Sequence, residues 1–346
     1  MAAAPASTVA VAPLAEWRRP RRSGIGWLVP FIVLGLLVGV PFVAGEYLQD
    51  LIAKIVILAI FALSLELLVG TTGLVSLGHA AFLGIGAYAA VLGAPKTGAG
   101  SLLGLLALSM ACAAAYALFV GALSLRTRGV YFIMVTLAFA QMAYFVFHDT
   151  KVGGGSDGIY LNVRPMLGSL IDLKNRNHFY GFALGSLVFT YALLAALLRS
   201  RFGHALAGIR INEQRMRAAG FRTYGYKLAA FVIGGALAGL AGFLIAARDG
   251  YVNPEMLAWQ ESGTVLLMLI LGGLGHLRGA VLGAMAFTLL KELYSSQALV
   301  GPVADHWQLA LGITIIVFVA LLPKGLIGLP ALLRRRRRVL AVPVDD

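Results

Sequence analysis

The sequence predicts an all-α polytopic membrane protein of about ten transmembrane helices, with both termini in the cytoplasm. Three observations carry this reading. The chain of 346 residues is 60% hydrophobic and only 12% charged, with a mean hydropathy of +0.86. Its apolar residues fall into ten runs separated by polar intervals, and the basic residues are distributed unequally among those intervals. A composition of this kind suits a lipid-embedded bundle and not a water-soluble domain.

The elements follow in order. Residues 1–26 are rich in Ala and Pro and then basic, with Arg18, Arg19, Arg21 and Arg22. No small-x-small cleavage site closes the apolar run after them, so a retained first span at 27–44 is expected in place of a signal peptide. Further spans are expected at 51–69, 78–93, 101–124, 130–147, 181–198, 226–247, 260–274, 280–298 and 307–322. A crossing needs roughly 17–25 residues, and the third and eighth runs are short. The expected organisation is a basic cytoplasmic tail 1–26, a membrane domain 27–329 and a basic cytoplasmic tail 330–346. Within the membrane domain, loop 199–225 would be cytoplasmic and loop 148–180 external.

Charge tests that layout. With the N-terminus inside, the segments on the cytoplasmic side hold 20 of the 28 Lys and Arg residues, including Lys227 at the membrane edge. The outside loops hold only Lys96, Lys151, Arg164, Lys174, Arg176 and Arg248. This is a positive-inside distribution. It accounts for the net charge of +13 without nucleic acid, and makes the arginine run 334–338 an anchor for anionic membrane lipid.

The longest basic interval, 199–227, carries seven Lys and Arg residues. Within it, Asn212 suits an N-cap and places Glu213 at the positive end of a short helix. Gly220 suits the left-handed position after that helix, with Phe221 folding back onto Met216 in a Schellman ending. A helix of about two turns is too short to stand alone in water. It is either a docking helix for a cytoplasmic motor or a solvated loop with one helical turn.

Small-xxx-small pairs, Ala80/Gly84 and Gly86/Ala90 in the third run and Gly235/Gly239 and Ala238/Gly242 in the seventh, predict close helix packing. Two Gly-rich interruptions, 70–78 and 271–279, read as unwound backbone lining a path or as tight turns. The second reads as a cytoplasmic turn, since His276 and Arg278 favour water. Oppositely oriented halves, runs 1–5 and 6–10, would permit an inverted repeat. Charged residues inside runs, among them Glu66, Lys54, Lys291 and Glu292, are too few for proton coupling or voltage sensing, so energy is expected from outside the chain. In the external loop, residues 153–158 form a Gly/Ser/Asp turn that could also bind an anion or a partner.

Catalysis finds no support. The single cysteine, Cys112, sits in an apolar run, and no metal-ligand spacing occurs. His79, His148, His178, His204, His276 and His306 are scattered, paired carboxylates are absent, and no GxxxxGK(S/T) loop is present.

Six segments in order resemble one family. They are Thr72-Gly-Leu-Val-Ser-Leu-Gly-His-Ala-Ala-Phe-Leu-Gly-Ile-Gly-Ala-Tyr88, Gly129-Val-Tyr-Phe-Ile-Met-Val-Thr-Leu-Ala-Phe139, Gly154-Gly-Ser-Asp-Gly158, the loop 212–220, Leu271-Gly-Gly-Leu-Gly275 and Pro323-Lys-Gly-Leu-Ile-Gly-Leu329. Together they resemble the permease subunits of branched-chain amino-acid ABC importers, the LivM type more than the LivH type.

The resemblance implies an ABC-importer permease bundle in the bacterial inner membrane and no enzyme activity in this chain. It implies a second, LivH-like permease, two cytoplasmic ATPase subunits that use ATP and Mg, and a periplasmic substrate-binding protein. This chain itself would carry no cofactor. The family's docking motif is matched at Asn212, Glu213 and Gly220, within a docking stretch that also includes Arg217, Ala218 and Ala219. It departs at Arg215 and Met216, where the family usually has two alanines. Candidate path residues are Thr71, Thr72, Ser76 and His79 at the first interruption, and Thr136 and Gln141 in the fifth run; each is also suited to interhelical hydrogen bonding. Permeases of this type also carry urea, short amides or aromatic acids. A self-contained secondary transporter or channel is the alternative of another class, opposed by the docking loop and the scarcity of intramembrane charge.

Overall fold

The computed structural model describes residues 45–95, 100–161, 163–167 and 171–329, together with 35, 37–39 and 41. The chain divides into two compact units, Met1–Val43 and Ala44–Asp346. In the first unit the five described residues are helical. The predicted tails 1–26 and 330–346, and nearly all of the predicted first span, lie outside the described residues.

The second unit is a helical bundle. Helix α1 is Glu46–Glu66, continued by a π-helical turn at Leu67–Thr72; α2 is His79–Gly93, α3 Leu102–Ser124, α4 Val130–Asp149 and α5 Arg176–Arg199. Next come α6 Arg201–Ile211, α7 Glu213–Ala218, α8 Thr223–Asp249, α9 Trp259–Gly272, α10 Leu277–Ser295, α11 Gln297–Val300 and α12 Trp307–Leu321. Two small antiparallel pairs complete it: β1 Ile159–Tyr160 with β4 Tyr251–Val252, and β2 Met166–Leu167 with β3 Ile171–Asp172.

Every predicted run after the first coincides with a helix, but length alone does not give the expected ten spans. Six helical segments among the described residues are long and apolar enough to cross a bilayer, or seven if α9 and α10, bent by 113°, count as one. At 1.5 Å per residue, the 15-residue α2 is only ~22 Å long, short of a ~30 Å hydrocarbon core. The 14-residue α9 is shorter still. Hydropathy marked these segments as apolar; it did not show the sharp bend at which α9 gives way to α10.

Contacts sort the element ends into two sets. At one end Glu46 pairs with Arg176 at 2.9 Å, Asp50 with Arg248 at 3.3 Å, and Tyr47 with Glu292. Lys291 lies over the Trp307 ring at this end, 5.1 Å from its centroid. At the other end, Tyr224 donates to Ala122 O at 2.9 Å, Arg210 bonds Gly70 O, and Glu66 bonds Gly275 N at 2.7 Å. The adjacent Lys291 and Glu292 face different partners, as neighbours on a helix must.

The core sits where α8 passes between α2 and α3, and the small residues explain how closely it passes. A Cβ on Gly86 would lie 2.5 Å from Gly239 Cα, and one on Gly239 would lie 2.6 Å from Ala113 Cβ. A Cβ on Gly242 would overlap the Leu83 carbonyl oxygen. Backbone cannot yield as a flexible side chain can, so a larger residue must separate the helices. Gly242→Leu is expected to cost more than the ~1–3 kcal/mol of ordinary overpacking. Thermal unfolding in detergent checks this; an unchanged midpoint would contradict the close approach.

Candidate functional site: the α6–α7 loop and the helix breaks behind it

The basic loop forms two helices with one corner. Asn212 closes α6 in extended backbone (φ −156°, ψ 98°) and opens α7, its Oδ1 accepting from Arg215 N at 2.9 Å. This satisfies one of the free N–H groups at the start of a helix. Gly220, at φ +87°, ends it. Gly220 N donates to Arg217 O at 2.9 Å and Phe221 N to Met216 O at 3.1 Å, the two bonds of a Schellman ending.

A six-residue helix needs outside support. Glu213 provides most of it. Its Oε1 accepts from Arg217 Nη2 at 2.6 Å and Thr223 Oγ1 at 3.0 Å, and pairs with Lys227 Nζ at 3.0 Å. Lys227 and Thr223 belong to α8, so this carboxylate ties α7 to the helix at the centre of the bundle. Burial pushes the Glu213 pKa up, but hydrogen bonds from Lys227, Arg217 and Thr223 outweigh it and hold the group down at about 2. On the other flank Met216 rests over Gly208 of α6, where a Cβ would lie 2.8 Å from its sulfur. The rest is open: Arg215, Arg217, Ala218, Ala219 and Gly220 are exposed. Beside the corner, Phe202, Arg222, Gly225 and Tyr226 line a shallow groove of about 250 Å³.

The two Gly-rich interruptions lie behind this loop and meet. The first is helical as far as Thr72, in π geometry, and Gly73 (φ +75°) ends it; irregular chain then leads to His79. The second is the turn between α9 and α10, with Gly273 and Gly275 at φ +110° and +88°. Nothing in the spacing of the two stretches indicates that they touch. Glu66 joins them through Gly275 N, and Arg210 of α6 reaches Gly70 O.

The predicted path residues form no open row. Thr72 donates to Leu68 O at 2.6 Å, Thr136 donates to Ile133 O at 2.9 Å, and Ser76 accepts from Gly78 N at 3.3 Å; all three are buried. Gly78 lies against the Thr136 carbonyl, which brings the first interruption against α4. His79 is fully buried, stacked on Phe61 at 5.5 Å and edge-on to Phe82 at 5.5 Å. Ser64 Oγ gives its hydrogen to Phe61 O at 2.7 Å, so the 2.8 Å contact requires His79 Nε2–H to donate to Ser64. That leaves Nδ1 as a buried acceptor without a partner. Thr71 and Gln141 are half-buried.

Comparison with known proteins is consistent with this arrangement. Residues 47–321 match the family described as the branched-chain amino acid transport system / permease component. The high-affinity branched-chain amino acid transport system permease protein LivM of Escherichia coli K12 is 32% identical over 325 residues, 87% of this chain and 74% of that protein. The Salmonella typhimurium LT2 protein of the same name is 30% identical, covering 85% of this chain and 73% of its own length. The autoinducer 2 import system permease protein LsrC of Yersinia enterocolitica is 28% identical over 32% of each chain. No solved structure matches.

Proposed function

The chain belongs to the branched-chain amino acid transport permease family, and from that premise we propose that it is the LivM-type permease of an importer of leucine, isoleucine and valine in the bacterial inner membrane. It is a multi-pass transport subunit and not an enzyme; such permeases work in a complex with another permease and with ATPase subunits that hydrolyse ATP. We assign it a LivH-like partner permease, two cytoplasmic ATPase subunits using ATP and Mg, and a periplasmic binding protein that delivers substrate.

The observation that carries the reading is the α6–α7 loop. A short helix capped at both ends, tied to the central helix by Glu213 and exposed at Arg215 and over 217–220 has the form of a dock. The groove at Phe202 and Tyr226 would take one side chain of the motor. Ten crossings with both termini inside remain our reading of the topology. It is supported by the alternation of helix ends between the two contact sets and by the concentration of Lys and Arg on the loop's side. On this reading α2 and α9 are the short third members of two halves.

Closure of the ATPase pair would displace α7, and the bundle would respond by exchanging outward- and inward-open states. On this reading Thr71, Thr72, Ser76, His79, Thr136 and Gln141 would line the path that the exchange opens; Thr72, Ser76, His79 and Thr136 hydrogen-bond within the bundle. Uptake of labelled leucine, with and without this gene at matched binding-protein levels and with ATP depletion as control, tests the reading. ATP-dependent uptake should disappear on deletion. Unchanged uptake, with no redundant system present, would remove leucine as the cargo.

A further inference from the structure

Arg210 stands two residues before the Asn212 corner, in the last turn of α6. Its Nη1 donates to the carbonyl oxygen of Gly70 inside the π-helical turn. Four residues earlier Glu66 is only 2% exposed, and its Oε1 accepts from Gly275 N at 2.7 Å. The three segments converge tightly: a Cβ on Gly275 would lie 3.7 Å from Arg210 Nη1, and one on Gly70 would overlap the Glu66 carboxylate. One guanidinium and one carboxylate therefore sit at the junction of α6, the break after α1 and the turn between α9 and α10.

This junction has an unusual cost. Glu66 Oε2 is buried without a hydrogen-bond partner, in a place where polar atoms are normally satisfied. Stability alone would favour an apolar side chain here. The π turn itself is a form that concentrates at functional positions within helices. The spare oxygen would offer Arg210 a second partner if Gly70 O were released, which would give the junction two arrangements.

We propose that Arg210 and Glu66 form the relay by which movement of the α6–α7 dock reaches the helix breaks of the bundle. Neither residue lies in the docking stretch; they are positioning residues, acting through Gly70 and Gly275. The proposal rests on the importer reading above.

The test uses the complete reconstituted importer, measuring leucine transported per ATP hydrolysed for wild type, Arg210→Ala, Glu66→Ala and Glu66→Gln. Arg210→Ala and Glu66→Ala should each lower transport per ATP by about tenfold, within the usual range of coupling between sites. The ATPase subunits should still co-purify. Glu66→Gln keeps an oxygen to accept from Gly275 N–H but turns the second oxygen into an NH2 donor that cannot receive Arg210, so it should assemble normally and still lose most of the ratio. A wild-type ratio for Arg210→Ala would overturn the proposal, as would loss of the ATPase subunits from that variant, which would make Arg210 part of the dock. A wild-type ratio for Glu66→Gln would overturn the role of the spare oxygen, and that variant remains a test if the alanine variants fail to assemble. A wild-type complex that moves no leucine with ATP would instead refute the importer reading.

Discussion

Replacing Gly220 with valine is expected to abolish most ATP-driven uptake while leaving the chain in the membrane. Space is not the obstacle, since no atom lies within 4 Å of a Cβ at this position. The obstacle is the backbone, at φ +87°. The left-handed conformation costs an ordinary L-residue roughly 1–2 kcal/mol, and a β-branched side chain more. A six-residue helix has no reserve with which to meet that cost. The bonds from Gly220 N to Arg217 O and from Phe221 N to Met216 O would break together, and the exposed dock would lose its shape. Asparagine tolerates the left-handed region, so Gly220→Asn should keep much of the activity that Gly220→Val loses. Initial uptake rates at matched membrane levels decide the matter. Normal uptake by the valine variant would contradict the account, and equal loss in both variants would contradict its conformational cause.

The second large effect is expected at Glu213. Glu213→Ala removes the partner of Lys227, whose side chain is only 8% exposed. Breaking a buried ion pair from one side costs about 3–5 kcal/mol, because the remaining charge is left desolvated. Arg217 and Thr223 lose an acceptor at the same time. The alanine variant should therefore unfold at lower temperature and transport poorly. Adding Lys227→Met removes the stranded charge and should restore part of the stability. A double variant no more stable than the single one would show that Lys227 was never dependent on Glu213. The pH dependence has a definite sign. Burial raises the Glu213 pKa, the three donors lower it by more than burial raises it, and the net value is about 2 against an ordinary 4.5. Its stabilisation is therefore complete above the ordinary value and is lost as pH falls through 4.5 towards 2. At neutral pH the clasp stays charged, so changes in cellular pH should leave docking unaltered.

How much of this was legible beforehand depends on sequence distance. Asn212, Gly220 and Phe221 could be read because cap chemistry involves residues a few positions apart. The Gly86, Gly239 and Gly242 approaches could be read as a tendency, since small residues at helical spacing leave room for a neighbour, although the neighbour itself stayed unnamed. The support of α7 was legible only as a need. The sequence could not choose Lys227 and Gly208 as its answer, because both depend on how α6 and α8 cross. The junction at Glu66 was beyond reach: Gly275 is 209 residues away, and Arg210 and Gly70 are separated by 140. Glu66 could only be marked as an intramembrane charge. The ten-span layout rests on hydropathy, which cannot see the 113° bend between α9 and α10; helix length among the described residues supports six or seven spans.

The claim at the centre of this account is that the exposed face of α7 meets the motor. Arg215 lies on that face and makes no side-chain bond that holds the helix together. A photo-reactive aromatic residue placed there in the assembled importer should capture an ATPase subunit, and the yield should change with bound nucleotide. Capture of the external binding protein, or of lipid alone, would contradict both the dock and the orientation of the loop.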